Sequence, residues 1–239
     1  MRVLEETIVT LDKAGVHHAG AGGAFAEARA PVTIDFGIRG RVHVFALGSP
    51  TSGIPRDWVA SPNKPGLNLI EMLSEESANR VVSDIQNYKQ PGDIALVSIH
   101  WGGNWGYEVP RAQTQFAHRL IDAGTDLVHG HSSHHAKAIE VYKDRLILYG
   151  CGDFLTDYEG ITGYEEFRGD LSVMYLPKLE PLSGRLLDLK MIVLQSRRFR
   201  LNRASKSDAC WLWNLLNNIC PAFGTRVELE EDGALKLHW

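Results

Sequence analysis

Ser98-Ile99-His100-Trp101-Gly102-Gly103-Asn104, followed by Leu127-Val128-His129-Gly130-His131-Ser132-Ser133-His134-His135, is the part of the chain whose reading decides the fold. Ile94 to Ile99 is a short apolar run without helical period, as expected of a strand buried on both faces, so His100 falls where that strand ends and a loop begins. Asp126 to His129 repeats the arrangement. Ligands of open α/β sheets bind outside the carboxyl ends of the strands, and that geometry would bring His100, His131 and His134 together. Six of the ten histidines lie between Ile94 and Tyr158, so the stretch is enriched in the side chain that most often ligates metals.

A His-x-x-His pair beside glycine can place two imidazoles in one coordination sphere, and a third from a neighbouring strand would complete a facial set. The alternative is that these rings hydrogen-bond loop backbone. A Gly-His-Ser-Ser-His-His run is hard to explain by packing, and the metal reading is preferred on spacing alone.

Outward from this centre, Ser74 reads as an N-cap with Glu75 and Glu76 in the first helical turn and Ala78, Val81, Val82 and Ile85 as the buried stripe. Pro110 opens a helix carrying Phe116, Ala117, Leu120 and Ile121, and Gly124 closes it. His118 within it reads as structural. Residues 74 to 130 thus form helix, strand, helix, strand, a βαβ crossover with parallel strands. Upstream, Val3, Leu4, Ile8 and Leu11 give an amphipathic helix stopped at Gly15, Ala24 to Ala28 a short helical stretch, and Arg41 to Leu47 a strand running into a Gly- and Pro-punctuated loop. The glycines of His17-His18-Ala19-Gly20-Ala21-Gly22-Gly23 fit neither a P-loop nor a dinucleotide fingerprint, and His17 and His18 read as surface or strand-end residues. Downstream the chain is strand-dominated. Ala138 to Tyr142 and Arg145 to Tyr149 form a hairpin through Lys143-Asp144, Leu171 to Leu176 pairs with Leu186 to Leu194, Ser205 caps a helix, and a last hairpin turns at Asp232-Gly233. With neither linker nor repeat, residues 1–239 read as a single domain.

Length of 239 residues and 44% hydrophobic composition suffice for a real core. A net charge of -4 and a pI near 6.2 give no reason to expect nucleic acid. No run approaches the roughly 18 apolar residues of a membrane span, and the amino-terminus lacks the basic then apolar pattern of a signal peptide, so the chain as given is expected in the cytoplasm. Cys151, Cys210 and Cys220 are in no metal-finger spacing and read as reduced thiols; Cys151, between glycines, lacks a motif that would activate it.

The runs Ser98 to Gly102, Leu120 to Val128, Gly130 to His134, Ile139 to Tyr142 and Leu148-Tyr149-Gly150-Cys151-Gly152-Asp153-Phe154 together resemble the capsule-synthesis CapA family, the poly-gamma-glutamate synthesis proteins of the calcineurin-like metallophosphoesterase superfamily. His18 to Gly22 and Ala26 to Ala28 are similar to that family's stretch before the central strands. The likeness covers residues 1 to about 200, leaving a helix and hairpin over 201–239. It implies an α/β fold, a layered sandwich of mixed sheets flanked by helices, with a dimetal site for divalent ions (Mn, Fe or Zn) built from loops at the strand ends. His100 matches the family's His-Trp-Gly histidine, and His131 and His134 match the first and last of its Gly-His-His-Pro-His segment. These three are the expected ligands.

Ser132 and Ser133 replace the family's middle His-Pro, Asn104 stands where a glutamate is usual, and Asp153 replaces an asparagine. The superfamily's Asp-rich, Gly-Asp and Asn-His motifs do not occur between Met1 and Ile99, so an N-terminally truncated chain is expected, the alternative being a branch that binds metal with a reduced set. A signal or anchor in a missing part, as surface members of the family often have, would place the protein at the cell surface. The resemblance implies a metal-dependent hydrolase of the phosphoesterase type acting in capsule or polyglutamate synthesis on an anionic polymer or phosphoester. The competing class is a non-catalytic binding or assembly protein with a degenerate metal site. His135 or His129 is the candidate acid, and Asp153 the nearby carboxylate nominated as an added ligand. Weak metal binding, little phosphoesterase turnover and a homodimer through an unpaired sheet edge are the further expectations. Trp101, Trp105 and Tyr107 are expected beside the metal.

Overall fold

A computed structural model describes residues 2–156, 158 and 161–239. The fold is mixed α/β, several sheets flanked by helices, and its contacts divide the chain into two compact units. The first comprises Met1–Gly102, Arg111–Val128 and Pro181–Gly184; the second comprises Gly103–Pro110, His129–Glu180 and Arg185–Trp239.

The first unit opens on α1 (Arg2–Lys13), whose Leu4, Ile8 and Leu11 are half-buried, and Gly15 ends it at a φ of +68°. Short strand β1 (Ala21–Gly22), helix α2 (Phe25–Arg29) and strands β2 (Val32–Asp35), β3 (Arg41–Gly48) and β4 (Gly66–Leu67) follow. Helix α3 (Glu75–Tyr88) is capped by Ser74, whose Oγ accepts from the Ser77 amide at 3.2 Å. Strand β5 (Ile94–His100) lies parallel to β3, Val42 opposite Ile94 and Gly48 opposite His100. With α3 lying between them in sequence, β3 and β5 are the two strands of a βαβ unit. β2, absent from the sequence reading, pairs antiparallel with β3.

Helix α4 (Arg111–Asp122) buries Phe116, Ala117, Leu120 and Ile121 as expected. Along β5 Val97 and Ile99 are fully buried, whereas Leu96, Ser98 and His100 are half-buried. The two-residue period continues past the strand: Trp101 shares the face of Val97 and Ile99, is 2% exposed and meets Phe116 edge to face at 6.4 Å. Trp101 is therefore a core residue of this unit, and not one that borders an open cleft. Beneath the next residue, a Cβ on Gly102 would approach Gln113 Nε2 to 2.7 Å, at a φ of +76° that already favours glycine.

A buried carboxylate organises the other end of the strands. Asp93 accepts from Arg41 Nη2 at 2.7 Å and Nε at 3.1 Å, from the Gln90 amide at 2.9 Å and from His43 Nε2 at 3.1 Å. The Arg41 guanidinium foremost, with the backbone and His43 donors, holds its carboxyl well below the usual range against the opposing effect of burial.

Strand β6 (Leu127–His131) begins in the first unit and ends in the second. Strands β7 (Ile139–Tyr142) and β8 (Arg145–Leu148) form the predicted hairpin, with Lys143 and Asp144 at φ of +49° and +60°. The buried Tyr149 hydroxyl donates to Glu140 Oε2 at 2.5 Å. Strand β9 (Leu171–Leu179) pairs antiparallel with β10 (Leu186–Arg197), which pairs in turn with β11 (Arg200–Arg203) and with β13 (Leu235–His238). Helix α5 (Lys206–Ile219) starts at Ser205, whose Oγ accepts from the Asp208 amide at 3.2 Å, and strand β12 (Arg226–Leu229) pairs with β13. Among the described residues no helix is long and apolar enough to cross a membrane.

Candidate functional site

His131 closes β6, and alternation along that strand puts it on the face of His129, the two rings 5.5 Å apart. The chain then turns through Ser132 at a φ of +115°, a conformation that L-residues rarely adopt. Backbone held in such a region costs about 1–3 kcal/mol and persists only where its surroundings enforce it. Here the Ser133 hydroxyl donates to the His135 carbonyl at 2.9 Å, and the His134 amide donates to the Asn104 carbonyl at 3.0 Å. The bend carries two adjacent histidines in opposite settings.

His134 is partly exposed. Its Nδ1 lies 3.1 Å and 3.0 Å from the two oxygens of Asp153, and the Tyr158 hydroxyl donates to Asp153 Oδ2 at 2.7 Å while standing 3.2 Å from the same Nδ1. Because a carboxylate only accepts, Nδ1 carries the proton, and in the neutral tautomer this leaves the lone pair on Nε2. His135 is 1% exposed. Its Nδ1 donates to the Ala136 carbonyl at 3.0 Å, and its Nε2 is buried without a hydrogen-bond partner among the described residues. Burial foremost, followed by the charge of Lys137, pushes its pKa down to about 4, although the Ala136 bond opposes this. The ring is neutral at pH 7, so Nε2 is placed to accept and has no proton to give.

Aromatic rings surround the pair. Trp105 stacks on Tyr164 at 4.4 Å, stands 5.2 Å from His134 and 6.0 Å from His135, while Tyr107 meets His135 edge to face at 4.7 Å. Phe167 also stacks on His135, at 4.9 Å. Trp105 and Tyr107 thus stand beside His134 and His135. A cavity of about 340 Å³ opens beside Trp105 and Tyr164, and a smaller one of about 180 Å³ is bordered by Asp153, Tyr158 and Arg197.

Of the residues singled out in the sequence, the structure joins His134 to Asp153 and sets His135 beside them. His131 neighbours His129, whose pKa burial lowers. His100 ends β5 in the first unit, half-buried, its carbonyl accepting from the Ser49 amide at 2.9 Å. Among the described residues no group of three or more His, Cys, Asp or Glu side chains is gathered as a metal ion would require. Cys151 is buried, and burial drives its thiol well above the ordinary range, which removes it as a nucleophile. Tyr158, Tyr164 and Phe167 went unnoticed in the sequence, where lone aromatics in a glycine-rich loop carry no periodic signal.

The family described as bacterial capsule synthesis protein PGA_cap matches residues 2–158. A "Probable polyglutamine synthesis accessory protein" of Mycobacterium tuberculosis is 44% identical over 235 residues, which cover 98% of this chain and 62% of the relative. The PGA biosynthesis protein CapA of Bacillus subtilis is 28% identical over 179 residues, 72% of this chain and 42% of its own, and the capsule biosynthesis protein CapA of Bacillus anthracis is 26% identical over 153 residues, 64% and 36%. The chain therefore spans under two thirds of the length of each of these relatives. With the family matched over most of the sequence, from α1 to the residues around Asp153, this chain belongs to the bacterial capsule synthesis proteins.

Proposed function

We propose that the chain acts in the synthesis of a capsule or polyglutamate polymer as a metal-dependent hydrolase of the phosphoesterase type, with His134 as the best-prepared metal ligand. The observation that carries this reading is the bond between His134 Nδ1 and both oxygens of Asp153. A carboxylate behind an imidazole fixes its tautomer, aims Nε2 and raises its basicity, which is how ligating histidines are oriented. Tyr158 adds a second restraint by donating to that carboxylate. As single donors these residues suit a transition metal; His100 and His131 are the proposed further ligands, and a divalent ion there would supply hydroxide from bound water at neutral pH. His135 Nε2, neutral and buried, is assigned as an acceptor of a proton or hydrogen bond, and Trp105 shields one side of His134 from water.

Metal uptake is the deciding readout. Elemental analysis after gentle purification and titration with manganese or zinc should show His134→Ala losing most of the bound metal, and Asp153→Asn weakening affinity about 10- to 100-fold. If the triple variant His100→Ala, His131→Ala, His134→Ala holds as much metal as the parent, the assignment fails. The described residues gather no three donors, which favours a second reading: a binding or assembly protein of the same machinery. It predicts that polymer binding survives in His134→Ala, and that the parent, with manganese added, turns over neither polymer nor aryl phosphate esters.

A further inference from the structure

The run Arg197-Arg198-Phe199-Arg200 forms the tip of the β10–β11 hairpin, a part of the fold that the sequence analysis did not identify. Arg198 and Phe199 both take a φ of +54°, the geometry of a two-residue turn that asparagine and glycine ordinarily occupy. Retaining large side chains there costs backbone strain. Arg197 faces Arg200 directly across the hairpin, next to the pair Gln195 and Asn202. Like charges placed opposite each other destabilise a strand pair. All three arginines are exposed, and none forms an ion pair among the described residues. On a chain of net charge -4 this is a local concentration of positive charge.

The hairpin's two faces differ. Leu194 packs with Ile192 and Ala234, against which Leu201 also lies, so this face is held to the second unit's sheet. The other face opens a groove of about 600 Å³ lined by Gln195, Arg197, Arg198, Arg200 and Asn202. Gln195 Nε2 donates to Asp170 Oδ2 at 2.9 Å, which anchors the groove's inner end. Arg197 also borders the smaller cavity that contains Asp153 and Tyr158. Arg197 thus lines both the groove and the cavity bordered by the carboxylate that orients His134.

We propose that this arginine groove is a docking surface for an extended chain of carboxylates, which it holds by successive guanidinium contacts beside the His134–Asp153 pair. Guanidinium pairs with carboxylate through two parallel N–H donors, and a flexible polyanion offers a new carboxylate at each repeat, so adjacent arginines can be satisfied together. The choice of a polycarboxylate rests on the polymer reading above; the docking itself requires neither metal nor turnover.

Fluorescence anisotropy of a short labelled poly-γ-glutamate, with the full chain as purified, tests this. The variant Arg197→Gln, Arg198→Gln, Arg200→Gln should bind on the order of tenfold more weakly, from three exposed charge pairs lost together, with a shallower salt dependence and unchanged metal uptake. The control Arg226→Gln, an exposed arginine on β12, should bind as the parent does. Equal binding by parent and triple variant, with both folded by circular dichroism, overturns the proposal. So does tighter binding of a DNA duplex or of anionic phospholipid vesicles than of the polycarboxylate. Loss of metal in His134→Ala with polymer binding intact upholds docking and the metal reading separately; retained metal in the triple histidine variant defeats only the latter.

Discussion

Asp93→Ala is expected to lower the free energy of unfolding by about 3–5 kcal/mol at pH 7. The carboxylate accepts from two guanidinium nitrogens, a backbone amide and His43, and His43 is only 2% exposed. Arg41 can turn to water in the variant, since its side chain is 39% exposed, but His43 Nε2 and the Gln90 amide lose their acceptor. The pH dependence has a definite sign. Asp93 titrates lower in the folded chain than in the unfolded one, where the usual value is about 3.9. Its contribution is complete above that value and is lost as pH falls through the folded pKa. Urea unfolding of parent and variant should therefore give curves whose separation is constant from pH 5 to 7 and narrows as the pH falls below about 4. A separation that stays the same down to pH 2 would mean that the charge of Asp93 contributes nothing.

Trp101→Ala is the second large effect, again about 3–5 kcal/mol, because it removes a whole indole from beneath Phe116. Its second readout matters more for function. If Trp101 belongs only to the core, the folded fraction of the variant takes up as much metal and binds as much polymer as the parent, measured per folded molecule at low temperature. Trp105→Ala, by contrast, removes the ring beside His134 and should alter binding with little loss of stability. A Trp101→Ala protein that is fully stable, yet defective in binding, would return this residue to the functional surface.

The contrast between these two tryptophans shows where the sequence was readable. The strand pattern of β5 contained the placement of Trp101, since Val97, Ile99 and Trp101 follow one another at a spacing of two. The glycines at 102 and 103 drew attention away from it. Helices α3 and α4 were legible because Ser74, Pro110 and Gly124 are local signals with local causes, and so was the Lys143-Asp144 hairpin. β2 was missed because one half-buried residue followed by three exposed ones, after a proline, carries little burial pattern. β11 was missed because its asparagine is a poor strand former, only one of its four residues is apolar, and the Arg198-Phe199 turn lacks the usual glycine. At the site, histidine density and family resemblance pointed to His134, His135 and Asp153. The bond itself links residues 19 apart, and no periodicity connects them.

The first unit takes its residues from three separate stretches, the last being Pro181–Gly184. Gly184 belongs there sterically: at its φ of +71° any Cβ would come within 2.2 Å of Asp126 Oδ1. During synthesis, the ribosome must therefore pass residue 184 before that unit can close, although most of it is complete by Val128. At about 5–20 residues per second, the wait from Val128 lasts roughly 3 to 11 s. Throughout it the nascent chain lacks the last stretch of that unit, the one that packs against Asp126. A chain stopped short of residue 184 would lack this piece of the first unit, however stable the finished protein is.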